Sequence, residues 1–122
     1  MYRSMNLVPF KTIIPYLTGS ARVNFSVIIE NLLGNLLLFL PLGFYMQVLS
    51  GRIRLLLRIM IVLSVPLLVE VLQYITGIGS ADIDDVILNF VGGMAGMAVC
   101  SVLDVIYRRR TGVGTARLFT LN

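Results

Sequence analysis

Three long apolar stretches dominate the pattern along the chain, and the polar residues within them gather mainly near one end of each stretch. An apolar helix needs about 20 residues to cross a bilayer, and all three stretches reach that length. We predict transmembrane helices over about 24–49, 55–75 and 86–107. Residues 1–22 do not predict a span, because Pro9 and Pro15 interrupt any helix and Lys11 divides the apolar residues. The fold expected is all-α, an integral membrane helical bundle of three transmembrane helices plus an interfacial N-terminal segment.

The composition agrees with a membrane protein of one domain. Only 13% of the residues are charged and the mean hydropathy is +0.92, whereas about a quarter of a soluble domain is charged. The net charge of +4 comes from basic residues beside apolar runs, which indicates membrane topology rather than nucleic-acid binding. Histidine is absent and Cys100 is the single cysteine, so we expect no zinc site, no intrachain disulfide and no cofactor.

The first predicted helix carries polar side chains near its start. Asn24, Asn31 and Asn35 fall within about 40° of one another at helical spacing, and Glu30 lies beside them. The asparagines either bind a ligand or join helices by hydrogen bonds, each contributing on the order of 1 kcal/mol. For Glu30 we favour a functional role, because an acid within a membrane helix usually has a task.

The second helix has its polar residues near its end, and the third near its start. Glu70 and Gln73 are spaced i, i+3 and share a face. Asp82, Asp85 and Asn89 fall within about 60° of one another on the third helix, while Asp84 points elsewhere. One or two of these aspartates are also explained as a helix cap or as complements to the helix dipole, with Asp82 the candidate N-cap.

Glycines continue the polar face of the third helix. Gly92 and Gly96 form a small-xxx-small pair, which lets a second helix approach closely. We assign them to helix packing. Asp104 precedes Arg108 by four residues, which predicts a surface ion pair and no function.

The distribution of lysine and arginine predicts the orientation of the helices. Seven basic residues lie in or beside the first connector and the C-terminal tail: Arg52, Arg54, Arg58, Arg108, Arg109, Arg110 and Arg117. Three lie on the opposite side: Arg3, Lys11 and Arg22. We therefore expect the C-terminus, with a basic, flexible tail over 108–122, in the cytoplasm and the N-terminal segment outside.

This orientation brings the polar residues of all three helices to the outer boundary of the membrane. The candidate ligand-binding residues are Asn31, Asn35, Glu70, Gln73, Asp82, Asp85 and Asn89. Crowded carboxylates repel, so we expect either protonation at Glu70 or Glu30 or a bound cation, such as a ligand ammonium or a hard metal held by oxygens. In the alternative, Arg22 and the N-terminal segment fold over the acids and pair with them.

Four sequence blocks resemble the VanZ-like family of small polytopic bacterial membrane proteins, named for a member linked to teicoplanin resistance. They are N-L-V-P-F-K-T-I at 6–13, N-L-L-G-N-L-L-L-F-L-P-L-G-F at 31–44, S-V-P-L-L-V-E-V-L-Q-Y at 64–74 and D-I-D-D-V-I-L-N-F-V-G-G at 82–93. The resemblance implies a VanZ-like membrane domain over 1–107 in the bacterial cell membrane. Members usually have a further transmembrane helix before the first block, and often a basic residue shortly before the D-x-x-D segment, where this sequence has Gly79 and Ser80.

Three classes of function follow from the site and the resemblance. The first is a cell-envelope or teicoplanin-type resistance factor that acts on an amphiphilic ligand, either a lipid-linked envelope precursor or a lipoglycopeptide. The second is a membrane-embedded enzyme that uses Glu30 or Glu70 as general acid or base, and the third is an ion- or proton-linked transport subunit. The lipid bilayer is the expected surrounding, and an oligomer or a membrane partner is compatible with each class.

Overall fold

The structure is a computed structural model that describes residues 5–49 and 52–112. Its elements in chain order are β1 (Met5–Asn6), α1 (Ile13–Thr18), α2 (Phe25–Val48), α3 (Leu55–Thr76), β2 (Ala81–Asp82) and α4 (Ile83–Thr111). Within the described residues, α2, α3 and α4 are long and apolar enough to cross a membrane. The prediction of an all-α membrane bundle with three spans is confirmed.

The third span begins earlier and ends later than its predicted bounds. Asp82 is the N-cap of α4, and its Oδ1 accepts a hydrogen bond of 2.9 Å from the backbone N–H of Asp84. The helix ends at Thr111, where Gly112 takes the left-handed conformation with φ of 71°. The first residues of the predicted tail are therefore helical, and 113–122 lie outside the described residues.

Close packing of α4 on α2 forms the centre of the bundle. The two helices run parallel, since Gly92 faces Leu36 and Gly96 faces Leu40. A Cβ atom on Gly92 would lie 2.1 Å from the Leu36 carbonyl oxygen, and one on Gly96 would lie 2.0 Å from the Leu40 carbonyl oxygen. Both distances are far shorter than any real contact, so glycine is required at this crossing.

Helix α3 runs antiparallel to α4. Near its middle, the fully buried Val62 packs on the bare backbone of Gly93, and near its end Glu70 contacts the start of α4. Large apolar side chains such as Leu38 and Leu56 remain exposed on the outside of the bundle. This distribution suits a protein whose surroundings are lipid.

The N-terminal segment lies across one end of the bundle. Its strand β1 pairs in parallel with β2, with Met5 opposite Ala81 and Asn6 opposite Asp82. Phe10 then adopts a positive φ of 65°, which turns the chain into the short helix α1. The segment is therefore bound to the start of α4.

Candidate functional site

Four carboxylates gather where α2 begins, α3 ends and α4 begins, and we call this region the acidic end. They belong to Glu70, Asp82, Asp84 and Asp85. Glu70, Asp82 and Asp84 all lie close enough to act electrostatically on Asp85. The cluster joins all three spans to the N-terminal segment.

Asp84 binds the backbone of the N-terminal segment. Its side chain is fully buried, its Oδ1 accepts from the N–H of Phe10 at 2.6 Å, and its Oδ2 accepts from the N–H groups of Thr12 at 2.7 Å and Ile13 at 3.1 Å. The left-handed conformation of Phe10 brings these N–H groups to one point, which forms a small anion-binding nest. The Asp84 carboxylate thus occupies the position that a bound anion would take in such a nest.

Asp82 binds side chains of the same segment. Its Oδ1 accepts from Asn6 Nδ2 at 2.9 Å, and its Oδ2 accepts from Thr12 Oγ1 at 2.6 Å. Together with the cap to α4, these bonds give the carboxylate three neutral donors. Asp82 and Asp84 therefore hold the N-terminal segment in place.

Glu70 connects α3 to the same region. It is 6% exposed, and its Oε2 accepts from the backbone N–H of Asp82 at 3.0 Å. With its amide oriented to satisfy its neighbours, Gln73 donates to the Glu70 oxygens at 3.2 and 3.3 Å. Both Glu70 and Gln73 thus belong to the cluster.

A chain of polar side chains links Asp85 to α2 and α1. Asn35 Nδ2 donates to Asp85 Oδ1 at 2.7 Å and, at 3.3 Å, to Asn31 Oδ1. Asn31 Nδ2 in turn lies 3.3 Å from the Tyr16 hydroxyl. All four side chains are partly exposed, so this chain remains accessible at the acidic end.

Two other candidates occupy different surroundings. Glu30 is exposed, and no described hydrogen bond connects it to the cluster. Asn89 is 3% exposed, one helical turn deeper than Asp85, and its buried Oδ1 has no hydrogen-bond partner. The structure thus brings six of the seven candidate ligand-binding residues to the acidic end in two hydrogen-bonded groups, with Asn89 below them. Glu70, Gln73 and Asp82 form one group. Asn31, Asn35 and Asp85 form the other.

The charge of the cluster has no basic partner in the part of the chain that the structure describes. The ion pair found there, Asp104 with Arg108 at 2.7 Å, lies at the opposite end of α4, and Arg22 is exposed. The N-terminal segment does fold over the acids, but it supplies neutral donors in place of the arginine considered above. Among the described residues, no group of acidic or cysteine side chains is arranged to hold a metal ion.

An apolar groove opens beside the cluster, between β1, the second half of α3 and the start of α4. Its volume is about 130 Å³, and Glu70 and Asp82 are the acidic residues in its wall. The remaining lining residues are Met5, Leu7, Leu67, Val71, Tyr74, Ala81, Ile83 and Val86. Most of the groove's lining is therefore apolar, with the two carboxylates in its wall.

Some residues that bond to one another at the acidic end were not among the candidates from sequence. Helical spacing alone predicted that Asp84 points away from the other acids. Nothing in the sequence pattern indicated that Asn6 or Thr12 would contact the start of α4. The available signal was the resemblance itself, because N-L-V-P-F-K-T and D-I-D-D are two of the blocks that carry it. The structure shows these two blocks in direct contact.

Comparison with known proteins agrees with the resemblance. The VanZ/LLP1 family model matches residues 1–104. Protein VanZ of Enterococcus faecium is 37% identical over 95 residues, which make up 78% of this chain and 51% of that protein, so the chain spans about half the length of this relative. No solved structure matches. With most of its length matched by the family model, the chain belongs to the VanZ/LLP1 family of multi-pass bacterial membrane proteins.

Proposed function

We propose that this protein is a cell-envelope or glycopeptide-resistance factor of the VanZ type, and that its acidic end binds the polar part of an amphiphilic ligand at the outer leaflet. The ligand class is a lipid-linked envelope precursor or a lipoglycopeptide of the teicoplanin type. The name of the Enterococcus faecium relative and the resemblance to a family named for a teicoplanin-resistance member support this class.

The observation that carries the proposal is the state of Asp85. Asp82 and Asp84 are occupied by the N-terminal segment, and Glu70 by Asp82 and Gln73. Asp85 accepts a bond from Asn35 and stays partly exposed, with no cation paired to it among the described residues. It is therefore the carboxylate best placed to accept an ammonium or hydroxyl group of a ligand.

The surroundings support an amphiphilic ligand. The apolar groove lies next to Glu70 and Asp82. Leu7, Phe10 and Leu17 of the N-terminal segment are at least half exposed, which suits the headgroup region of a membrane. A hydrocarbon tail in this groove would contact apolar surface, and the polar part of the ligand would extend past Glu70 and Asp82 to Asp85, which lies outside the groove wall.

The outer location rests on the distribution of charge. Basic residues are concentrated in the connector between α2 and α3, at the start of α3 and at the end of α4, and cytoplasmic loops carry such an excess. This supports an acidic end that faces outward, where glycopeptides and exported envelope precursors are encountered.

No described contact favours the other two functions. Glu30 is exposed and apart from the cluster, while Glu70 is engaged by a backbone N–H and an amide. A transport path would need polar groups through the middle of the bundle, where Val62, Gly92 and Gly93 are packed together with α2.

The test is deletion and overexpression in the native host, scored against glycopeptides with and without a lipid tail. We expect a selective change in susceptibility to the lipid-tailed compound, because the proposed ligand is amphiphilic. Overexpressed Asp104→Asn serves as a control variant and should cause the same change as the unsubstituted protein, because Asp104 lies at the opposite end of α4. Equal, unchanged susceptibility to both compounds would contradict the proposal.

A further inference from the structure

A buried arginine at the opposite end of the bundle has no anionic partner among the residues that the structure describes. Arg58, in the first turns of α3, is 7% exposed, and its Nη1 donates to the neutral Gln47 Oε1 on the last turn of α2. Its Nε is buried without a hydrogen-bond partner. Within the described ranges, no carboxylate pairs with it. A buried charge with a neutral partner is costly, so an anion from outside the chain would stabilise it.

The same end of α3 offers further hydrogen-bond donors. The first backbone N–H groups of a helix have no partner within the helix, and the N-cap residue Arg54 provides no side-chain cap here. Arg58 follows these N–H groups by one turn, and helical side chains lean toward the N-terminus, which directs its side chain toward that end of α3. The positive end of the helix dipole adds to the guanidinium charge. Two independent features thus favour an anion at one place.

The surroundings indicate that the anion belongs to a lipid. Leu55, Leu56 and Leu57 are all more than half exposed on the same turn, where they would meet acyl chains. Arg52 and Arg54 are exposed beside them and add positive charge at headgroup level. Apolar surface below a cluster of arginines matches a lipid phosphate better than a free anion.

We infer that Arg58, with the N-terminus of α3, binds the phosphate group of a membrane phospholipid. The guanidinium donates to the phosphate oxygens, Gln47 holds its Nη1, and the leucines of the first turn contact the acyl chains. This lipid site is at the end of the bundle away from the acidic end and does not depend on the function proposed for the latter.

The experiment uses the full chain purified in a neutral detergent, with thermal unfolding as the readout. Three probes are titrated: phosphatidylglycerol, diacylglycerol with the same acyl chains, and inorganic phosphate. We expect phosphatidylglycerol to raise the Tm and the other two to leave it unchanged. An equal rise with inorganic phosphate would overturn the lipid assignment, and an equal rise with diacylglycerol would overturn the phosphate assignment.

Two substitutions assign the effect to Arg58. Arg58→Gln should weaken the apparent affinity for phosphatidylglycerol about tenfold, the loss expected for one charge-assisted contact. Arg54→Gln removes an exposed arginine of the same turn and should change that affinity by less than about threefold, because exposed charges contribute little. Unchanged binding by Arg58→Gln would refute the inference.

A third substitution remains informative if Arg58→Gln fails to fold. Gln47→Glu places a carboxylate against the guanidinium and supplies the missing anion from within the chain. We expect a higher Tm without lipid and little further rise on adding phosphatidylglycerol. If the lipid binds elsewhere and Arg58 only makes a structural hydrogen bond, phosphatidylglycerol should raise the Tm of Gln47→Glu as much as that of the unsubstituted protein. That result would also overturn the inference.

Discussion

Asn35 on α2 donates a 2.7 Å hydrogen bond to Asp85 on α4, and this bond joins the two helices that pack most closely. The same amide also contacts Asn31, which leads to the Tyr16 hydroxyl of α1. Asp85 is thus held in a fixed position while remaining partly exposed. Asp85 differs in this from Asp84, whose buried carboxylate oxygens accept hydrogen bonds from the backbone of the N-terminal segment.

Replacing Asp84 with asparagine should release the N-terminal segment. Asparagine has one acceptor oxygen, and its amide group would face backbone N–H donors, each buried group left unpaired costing about 1–3 kcal/mol. We expect a lower Tm and faster tryptic cleavage after the exposed Lys11. Asp104→Asn should leave both unchanged, and an Asp84→Asn protein as resistant to trypsin as the unsubstituted protein would contradict this role.

Replacing Gly92 with alanine should force α2 and α4 apart. The new Cβ would lie 2.1 Å from the Leu36 carbonyl oxygen, and such overpacking costs about 1–3 kcal/mol or more. Gly34→Ala is the control, because a Cβ there meets nothing within 4 Å and alanine favours the helix by roughly 0.5–1 kcal/mol. Size-exclusion chromatography and Tm in detergent measure both variants. Equal Tm values and elution profiles for Gly92→Ala and Gly34→Ala would show that α2 and α4 do not pack closely at Gly92.

The proposed orientation predicts the labelling of single cysteines. In a Cys100→Ala background, Ser80→Cys should react with a membrane-impermeant thiol reagent on intact cells, because Ser80 is exposed at the acidic end. Thr111→Cys, at the end of α4, should react only after permeabilisation. Labelling in the reverse order would put the acidic end in the cytoplasm.

The spans were predictable because each needs only a local run of apolar residues. The N-terminal segment was harder, since its contacts reach across the sequence: Asn6 binds Asp82, and Thr12 binds both Asp82 and Asp84. Helical phase predicted that Asp84 points away from the other acids, and the structure adds that it points into the nest. That nest depends on the left-handed backbone conformation of Phe10, which the sequence pattern does not predict.

The different burial of Glu30 and Glu70 comes from their positions in the bundle and not from residue type. Glu30 and Glu70 were equal candidates for chemistry from sequence, because both lie near the acidic end of an apolar helix. In the structure Glu30 faces outward and Glu70 is buried against β2, a difference set by how α2 and α3 are rotated against α4. Rotation follows from packing such as Gly92 on Leu36, which the apolar pattern leaves open.

The most direct test of the central claim is the effect of Asp85→Asn on susceptibility to a lipid-tailed glycopeptide. The substitution keeps the shape of the side chain and removes its charge, so protein level, Tm and cysteine labelling should be maintained. We predict that the selective change conferred by the unsubstituted protein is lost with Asp85→Asn and retained with Asp104→Asn. Full retention with Asp85→Asn, at an equal protein level, would contradict a ligand site built on this carboxylate.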